Sequence, residues 1–240
     1  MTLFVGTSGW SYGEWKQGFY PQGLPQRRFL EHYSSVLGAC EINATFYRTQ
    51  TPDTVARWAA QTPEGFGFAA KAHRMLTYTK SIAPTEQRRA ALHDYLASLS
   101  ALGPKLRVVL LQFPPFVERD DTALKELLGA LPDEPRFALE FRNPSWDAAE
   151  VREHVAGCGA TVCWSETAGH AAAALPPGPL AYVRLRAERY SDESRDRLKG
   201  LLNEAAGGRD VYVFTKHKGA APDDPFAGIG LSMWLASQAP

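Results

Sequence analysis

The sequence predicts one (β/α)8 barrel of the TIM type, with eight parallel strands, filling residues 1–240 as a single domain. Three observations lead there. Eight strand-like runs alternate with helix-like segments along the whole chain, an order that gives a parallel sheet covered by helices. No shift in composition divides the chain, and 240 residues is close to the roughly 250 typical of one such barrel. A dinucleotide-binding open sheet would carry Gly-x-Gly-x-x-Gly after its first strand; Gly6-Thr-Ser-Gly9 stands there instead.

Leu3-Phe4-Val5 reads as the first buried strand, ended by that Gly-rich turn. The next loop carries Trp10, Tyr12, Trp15, Phe19 and Tyr20 and closes at Pro21. Its rings either cover the end of a core or form a flat wall for a sugar or base. Burial is favoured, because large aromatics dominate cores. In residues 26–37, Phe29, Leu30, Tyr33, Val36 and Leu37 follow helical spacing, and Gly38 stops the run. Residues 40–47 alternate as a second strand, with Glu41, Asn43 and Thr45 on one face. Pro52-Asp53 opens a helix bearing Val55, Trp58 and Ala59. Residues 66–73 form the third strand, with Lys71 and His73 sharing a face.

A polar loop (77–84) leads to a long helix with Leu92, Tyr95, Leu96, Leu99 and Leu102, ended by Gly103-Pro104. Residues 107–115 are almost wholly apolar, the mark of a strand buried on both faces, and finish in Gln112 and two prolines. After a helix with Leu124, Leu127 and Leu128 comes the fifth strand, 136–142. There Phe137, Leu139 and Phe141 alternate with Ala138, Glu140 and Arg142, until Asn143-Pro144 stops it. Residues 146–155 read as helix, 161–166 as the sixth strand, and 171–179 as a Pro-rich connection. The seventh strand, 180–186, sets Tyr182, Arg184 and Arg186 on one face. A charged helix with Leu198, Leu201 and Leu202, an eighth strand (211–217) and a last helix (226–235) complete the order.

Lys plus Arg and Asp plus Glu are equal at 26 each, so no global basic field points to nucleic acid or an anionic membrane. Cys40, Cys158 and Cys163 lack metal-ligand spacing and suit a reducing compartment. The N-terminus has no basic leader region, and no run approaches the roughly 20 apolar residues of a membrane helix. A cytoplasmic location with no membrane partner is the expectation; oligomeric state is left open.

In a closed barrel the polar face of each strand points to the axis and its C-terminal end forms the mouth. That gathers Ser8, Glu41, Asn43, Lys71, His73, Gln112, Glu140, Arg142, Arg184, Arg186, Lys216 and His217. Five permanent cations there face only Glu41 and Glu140, and such a surplus suits a phosphate or carboxylate. The competing reading is a plug, with Glu140 paired to Arg142 or Glu41 to Lys71. A two-carboxylate glycosidase is disfavoured, because the nearby cations keep both carboxylates ionised. His73, His217, Glu41 and Glu140 offer a set that could converge on a divalent metal, but the same cations would repel it, so no metal site is assigned and no cofactor is expected.

The motifs Gly6-Thr-Ser-Gly-Trp10-Ser-Tyr12, Glu41-Ile-Asn43-Ala-Thr-Phe-Tyr47, Phe66-Gly-Phe-Ala-Ala-Lys71, Leu111-Gln-Phe-Pro-Pro115 and Glu140-Phe-Arg142 with Ser145-Trp146 resemble the YecE-like family (domain of unknown function 72). The resemblance runs from the first strand to the last. It implies a TIM-type barrel related to sugar isomerase-like and endonuclease-like barrels, and it implies no established reaction. Glu41, Asn43, Lys71, Gln112, Glu140, Arg142, Trp146 and Arg184 stand at matching positions. Two sites depart: Arg186-Ala187 replaces the family's His-Gly, and Lys216-His217 replaces its asparagine, both adding positive charge.

These residues suggest an enzyme for a small anionic substrate, phosphorylated or carboxylated and sugar- or nucleotide-like. Glu140, Glu41, Lys71 and His73 are the catalytic candidates. Ser8, Trp10, Tyr12, Asn43, Gln112, Arg142, Trp146, Arg184, Arg186, Lys216 and His217 are the binding candidates. Glu140 or Glu41 would move a proton while Lys71 stabilises developing negative charge, and Glu140→Gln would abolish turnover while sparing the fold. The alternatives are a non-catalytic anion-binding protein and a nucleic-acid-processing barrel that stacks a base on the Trp10–Tyr20 loop.

Overall fold

The computed structural model describes residues 1–166, 174–216 and 221–238. Nine parallel strands form one sheet that nearly closes into a barrel: β1 (Leu3–Ser8), β2 (Ala39–Ile42), β3 (Gly67–Lys71), β4 (Leu106–Phe113), β5 (Arg136–Phe141), β6 (Thr161–Val162), β7 (Trp164–Glu166), β8 (Leu180–Leu185) and β9 (Asp210–Thr215). Their order is β6-β5-β4-β3-β2-β1-β9-β8-β7. The helices are α1 (Phe29–Val36), α2 (Ala44–Tyr47), α3 (Pro52–Ala60), α4 (Arg74–Thr77), α5 (Glu86–Ser98), α6 (Asp121–Leu128), α7 (Ala149–Gly157), α8 (Asp192–Ala206) and α9 (Gly228–Ser237). No helix among the described residues is long and apolar enough to cross a membrane.

The count of nine in place of eight comes from the sixth expected strand. Its first half pairs with β5 (Leu139↔Val162) and its second half with β8 (Ser165↔Arg184). Cys163 lies between, giving its N–H to Leu139 O at 2.8 Å. One run of chain thus changes partner midway and joins the two ends of the sheet.

Alternation places two sets of side chains. Phe137 and Leu139 point outward into the layer shared with the helices, together with Phe68, Val109, Leu111 and Val155. The inward set is a separate core: Ala39, Ala69, Val108, Leu110, Ala138, Cys163, Tyr182 and Phe214, with Phe4 packed against it. Phe4 stacks on Tyr212 at 4.8 Å near the lower end. The interior is therefore packed at its base, as in other filled barrels, and its buried charges Glu41, Glu140 and Arg184 lie toward the strand tips.

Three local expectations change. β1 runs on through Gly6 to Ser8, because glycine there lets two strands meet closely; a Cβ on Gly6 would sit 1.9 Å from Ala39 O. Gly6→Ala should therefore lower stability by about 1–3 kcal/mol, read as a shift in denaturation midpoint at unchanged slope. β2 stops at Ile42, not residue 47. Asn43 takes helical angles (φ −86, ψ −20) and starts α2, so the short alternation beyond it is a helical turn. β3 ends at Lys71, and His73 lies beyond it, capping α4.

Candidate functional site at the barrel mouth

Parallel register brings the polar tips abreast. Ser8 lies beside Glu41, Gln112 beside Glu140, and Ser165 beside Arg184. Arg184, 5% exposed, is the hub. Its Nη1 donates to Glu140 Oε2 at 2.5 Å and its Nη2 to Glu41 Oε1 at 2.9 Å. One guanidinium thus ties β8 to β2 and β5, the fork geometry that suits arginine.

Glu41 is fully buried and accepts from four donors. Ser8 Oγ (2.6 Å), Arg184 and Arg186 Nη2 (3.2 Å) reach Oε1, and the Tyr182 hydroxyl (2.8 Å) reaches Oε2. Burial pushes its carboxyl up, but Arg184 and Arg186 outweigh it and hold the pKa at about 2. Glu140 accepts from Gln112 Nε2 (2.7 Å) and from Arg142 Nε (3.2 Å) as well as from Arg184. Burial raises and Arg184 lowers its pKa, with a net displacement below the ordinary value. Both carboxylates stay ionised at neutral pH.

Lys71 behaves differently. Its ammonium sits 4.0 Å above the Phe46 ring, a cation–π contact. Burial, then Arg184, lower its pKa to about 8 against the pull of Glu41 and Glu140. The folded value lies below the ordinary 10.5, so Lys71 weakens the fold fully below pH 8. That cost fades as pH rises from 8 to 10.5.

Above this layer opens a cavity of about 730 Å³ lined by Ser8, Asn43, Pro115, Glu140, Phe141, Arg142, Ser165, Arg184, Arg186 and Lys216. Arg142 is half exposed. Arg186 also braces Ser8 Oγ (2.7 Å) and the Phe214 carbonyl (3.0 Å), while Lys216 pairs with Glu188. The expected surplus of cations is therefore reduced by Glu188; of the two pairs in the competing plug reading, Glu140 with Arg142 forms, while Glu41 takes Arg184 and Arg186 in place of Lys71.

Four candidates lie outside this cluster. Trp10 packs edge-on to Trp58 at 5.3 Å and lines a different cleft with Arg27 and Arg57. Tyr12 gives its hydroxyl to Ser8 O at 2.6 Å. Trp146 is buried, stacks on Phe141 at 4.3 Å and donates to Val117 O at 2.8 Å. His73 Nδ1 accepts from Met75 N–H at 3.3 Å. Trp15, Phe19 and Tyr20 of the same loop are core residues, so those three rings offer no open wall for a base. His217 lies outside the described residues.

Sequence reasoning missed Tyr182 as a partner of Glu41, although it shares a strand face with Arg184. It also missed Glu188 and Ser165; for Ser165 the signal was the polar residue midway along 164–166.

Residues 4–227 match the family described as Protein of unknown function DUF72. The chain is 30% identical over 153 residues to the UPF0759 protein YunF of Bacillus subtilis (strain 168), a match spanning 60% of this chain and 52% of YunF. It thus spans about half the length of the curated relatives it matches. Among solved structures, a DUF72 family protein from Thermotoga maritima superposes with TM-score 0.77 at 22% identity, over 99% of this chain and 98% of that one. D-psicose 3-epimerase, solved in the presence of D-fructose, superposes with TM-score 0.56 at 13% identity over 98% and 96%, a likeness of fold.

Proposed function

The chain belongs to the DUF72 family of proteins of unknown function, and from that premise we propose that it is an enzyme acting on a small anionic substrate at the barrel mouth by acid–base chemistry. The observation that carries the reading is one labile proton set among fixed charges. Glu41, at about 2, and Glu140 are too acidic to shuttle protons near neutrality; they fix Arg184. Lys71, at about 8, can give or take a proton there. The proton-moving role that the sequence suggests for Glu140 or Glu41 therefore falls to Lys71.

Lys71 stands within the field of Arg184, Glu41, Glu140 and Arg142, and Arg142, Arg186 and Lys216, which line the mouth cavity, supply donors for a phosphate or carboxylate. No metal or other cofactor enters the proposal, since a divalent ion would meet Arg142, Arg184 and Arg186 first.

A thermal-shift panel of sugar phosphates, nucleoside monophosphates and hydroxycarboxylates, followed by mass spectrometry of each mixture, tests this. A true ligand at about 100 times its Kd adds about 2.7 kcal/mol. Lys71→Met should keep most of that stabilisation and lose about 10²–10⁴-fold in turnover. The affinity for inorganic phosphate should fall as pH rises through about 8, where Lys71 loses its charge, and Lys71→Met should erase that step. Stabilisation with no product from any ligand would leave a binding protein instead of an enzyme. An absence of stabilisation by every anion would remove the mouth as the site.

A further inference from the structure

We propose that the mouth continues into an aromatic shelf that receives the uncharged, ring-bearing end of the ligand, so that the ligand class is an aryl or heteroaryl phosphate. This rests on the anion site proposed above and adds the other end of the molecule.

Among the described residues, the exposed large apolar side chains are few, and four of them gather in one region. Tyr47, Met75, Tyr78 and Phe116 are each at least half exposed. They lie in the segments that leave β2, β3 and β4, which are neighbours in the sheet, at the C-terminal ends of those strands. Scattered exposed apolar groups need no explanation, whereas clustered ones mark contact sites.

The shelf adjoins the charged cluster on two sides. The Lys71 ammonium lies 4.0 Å from the centre of the Phe46 ring, which stands at 5.1 Å and 89° to Tyr47. On the other side Pro115 lines the mouth cavity and is followed by Phe116. Asn143 Nδ2 donates to Pro115 O at 2.6 Å, and Arg142 N–H to Phe113 O at 3.2 Å, so this turn is pinned beside the arginine. Phe116 meets Tyr78 edge-on at 5.2 Å, and the two wall a cleft of about 820 Å³.

Charge distribution selects the occupant. The cations gather at the mouth. On the shelf, Arg119 is held by Asp121, Lys80 shares its cleft with Glu118 and Asp120, and two exposed arginines, Arg48 beside Tyr47 and Arg74 beside Met75, stand apart in the chain on segments leaving different strands. A nucleic-acid strand would need cations spaced along the shelf for successive phosphates. A single anionic group joined to a flat, uncharged ring matches the surface: the anion meets the arginines and the ring meets Tyr78 and Phe116.

The test compares inorganic phosphate with phenyl phosphate by calorimetric titration, on the wild-type chain and on a Tyr78→Ser/Phe116→Ser variant. Both side chains are exposed, so the variant's unfolding midpoint should match the parent. Phenyl phosphate should bind about tenfold to a hundredfold more tightly than phosphate, and the variant should lose that advantage while binding phosphate unchanged. Phosphate binding without any advantage for phenyl phosphate would overturn the shelf and leave the anion site standing. Binding of neither would overturn both. An oligonucleotide that binds more tightly than phenyl phosphate, or a dimer in sedimentation that the double variant dissolves, would overturn the small-ligand reading in favour of a polymer or a second copy of the chain.

Discussion

Arg184→Met will destabilise the protein by about 3–5 kcal/mol at neutral pH, because it leaves two buried carboxylates without their shared cation. At this chain length that corresponds to about 2–4 °C per kcal/mol in Tm. Methionine preserves the side chain's bulk, so the loss reports charge more than packing. The pH dependence separates this account from a simple cavity. In the parent, Glu41 has a folded pKa of about 2 against an ordinary 4.5. Its contribution is complete above pH 4.5 and is lost as pH falls toward 2. In the variant the same burial acts with less opposition and drives the carboxyl upward. The variant therefore gains relative to the parent as pH falls from 7 toward 3. Urea denaturation of both proteins across that range checks it. A stability gap that stays constant with pH would show that Arg184 acts through packing alone.

Much of this architecture was legible from alternation. At β5, Phe137 and Leu139 fell on the outward face and Glu140 on the inward one, as the pleat assigns them, and Arg142 follows just past the strand's end at the same mouth. The same rule placed Arg184 and Arg186 at one opening, whereas Ser8 and Gln112 follow only from standing at strand ends, where Gln112 meets Glu140. What it could not supply was the end of each strand. Ile42-Asn43-Ala44 reads equally well as a strand and as the start of a helix over so few residues, and only packing decides it. His73 was misplaced for the same reason: two residues beyond the true end of β3, face parity carries no information. The split at Cys163 was hidden too, because a change of hydrogen-bonding partner leaves no mark on hydrophobic pattern. The ionic pairing was the least legible. Residue types announce a cluster of charge, but whether Lys71 or Arg184 takes Glu41 depends on side-chain reach across the barrel.

Glu140→Gln carries the second large effect, and it departs from the sequence-based expectation of an undisturbed fold. Glu140 is 3% exposed and accepts from Gln112, Arg142 and Arg184 at once. An amide keeps one acceptor and adds an NH₂ that faces these same donors, so at least one of them loses its partner. The cost should be about 1–3 kcal/mol, below that of losing Arg184, because Glu41 still holds the guanidinium. The change also reaches Lys71. Glu140 is one of the charges that raise the Lys71 pKa, so its removal should move the titration midpoint below about 8. The lysine Nζ resonances followed by NMR across pH 6–11 would record that movement directly. The phosphate-affinity step should travel with it to lower pH. A midpoint that stays in place would mean that Lys71 lies outside the field of Glu140, and the acid–base role assigned to the lysine would lose its electrostatic basis.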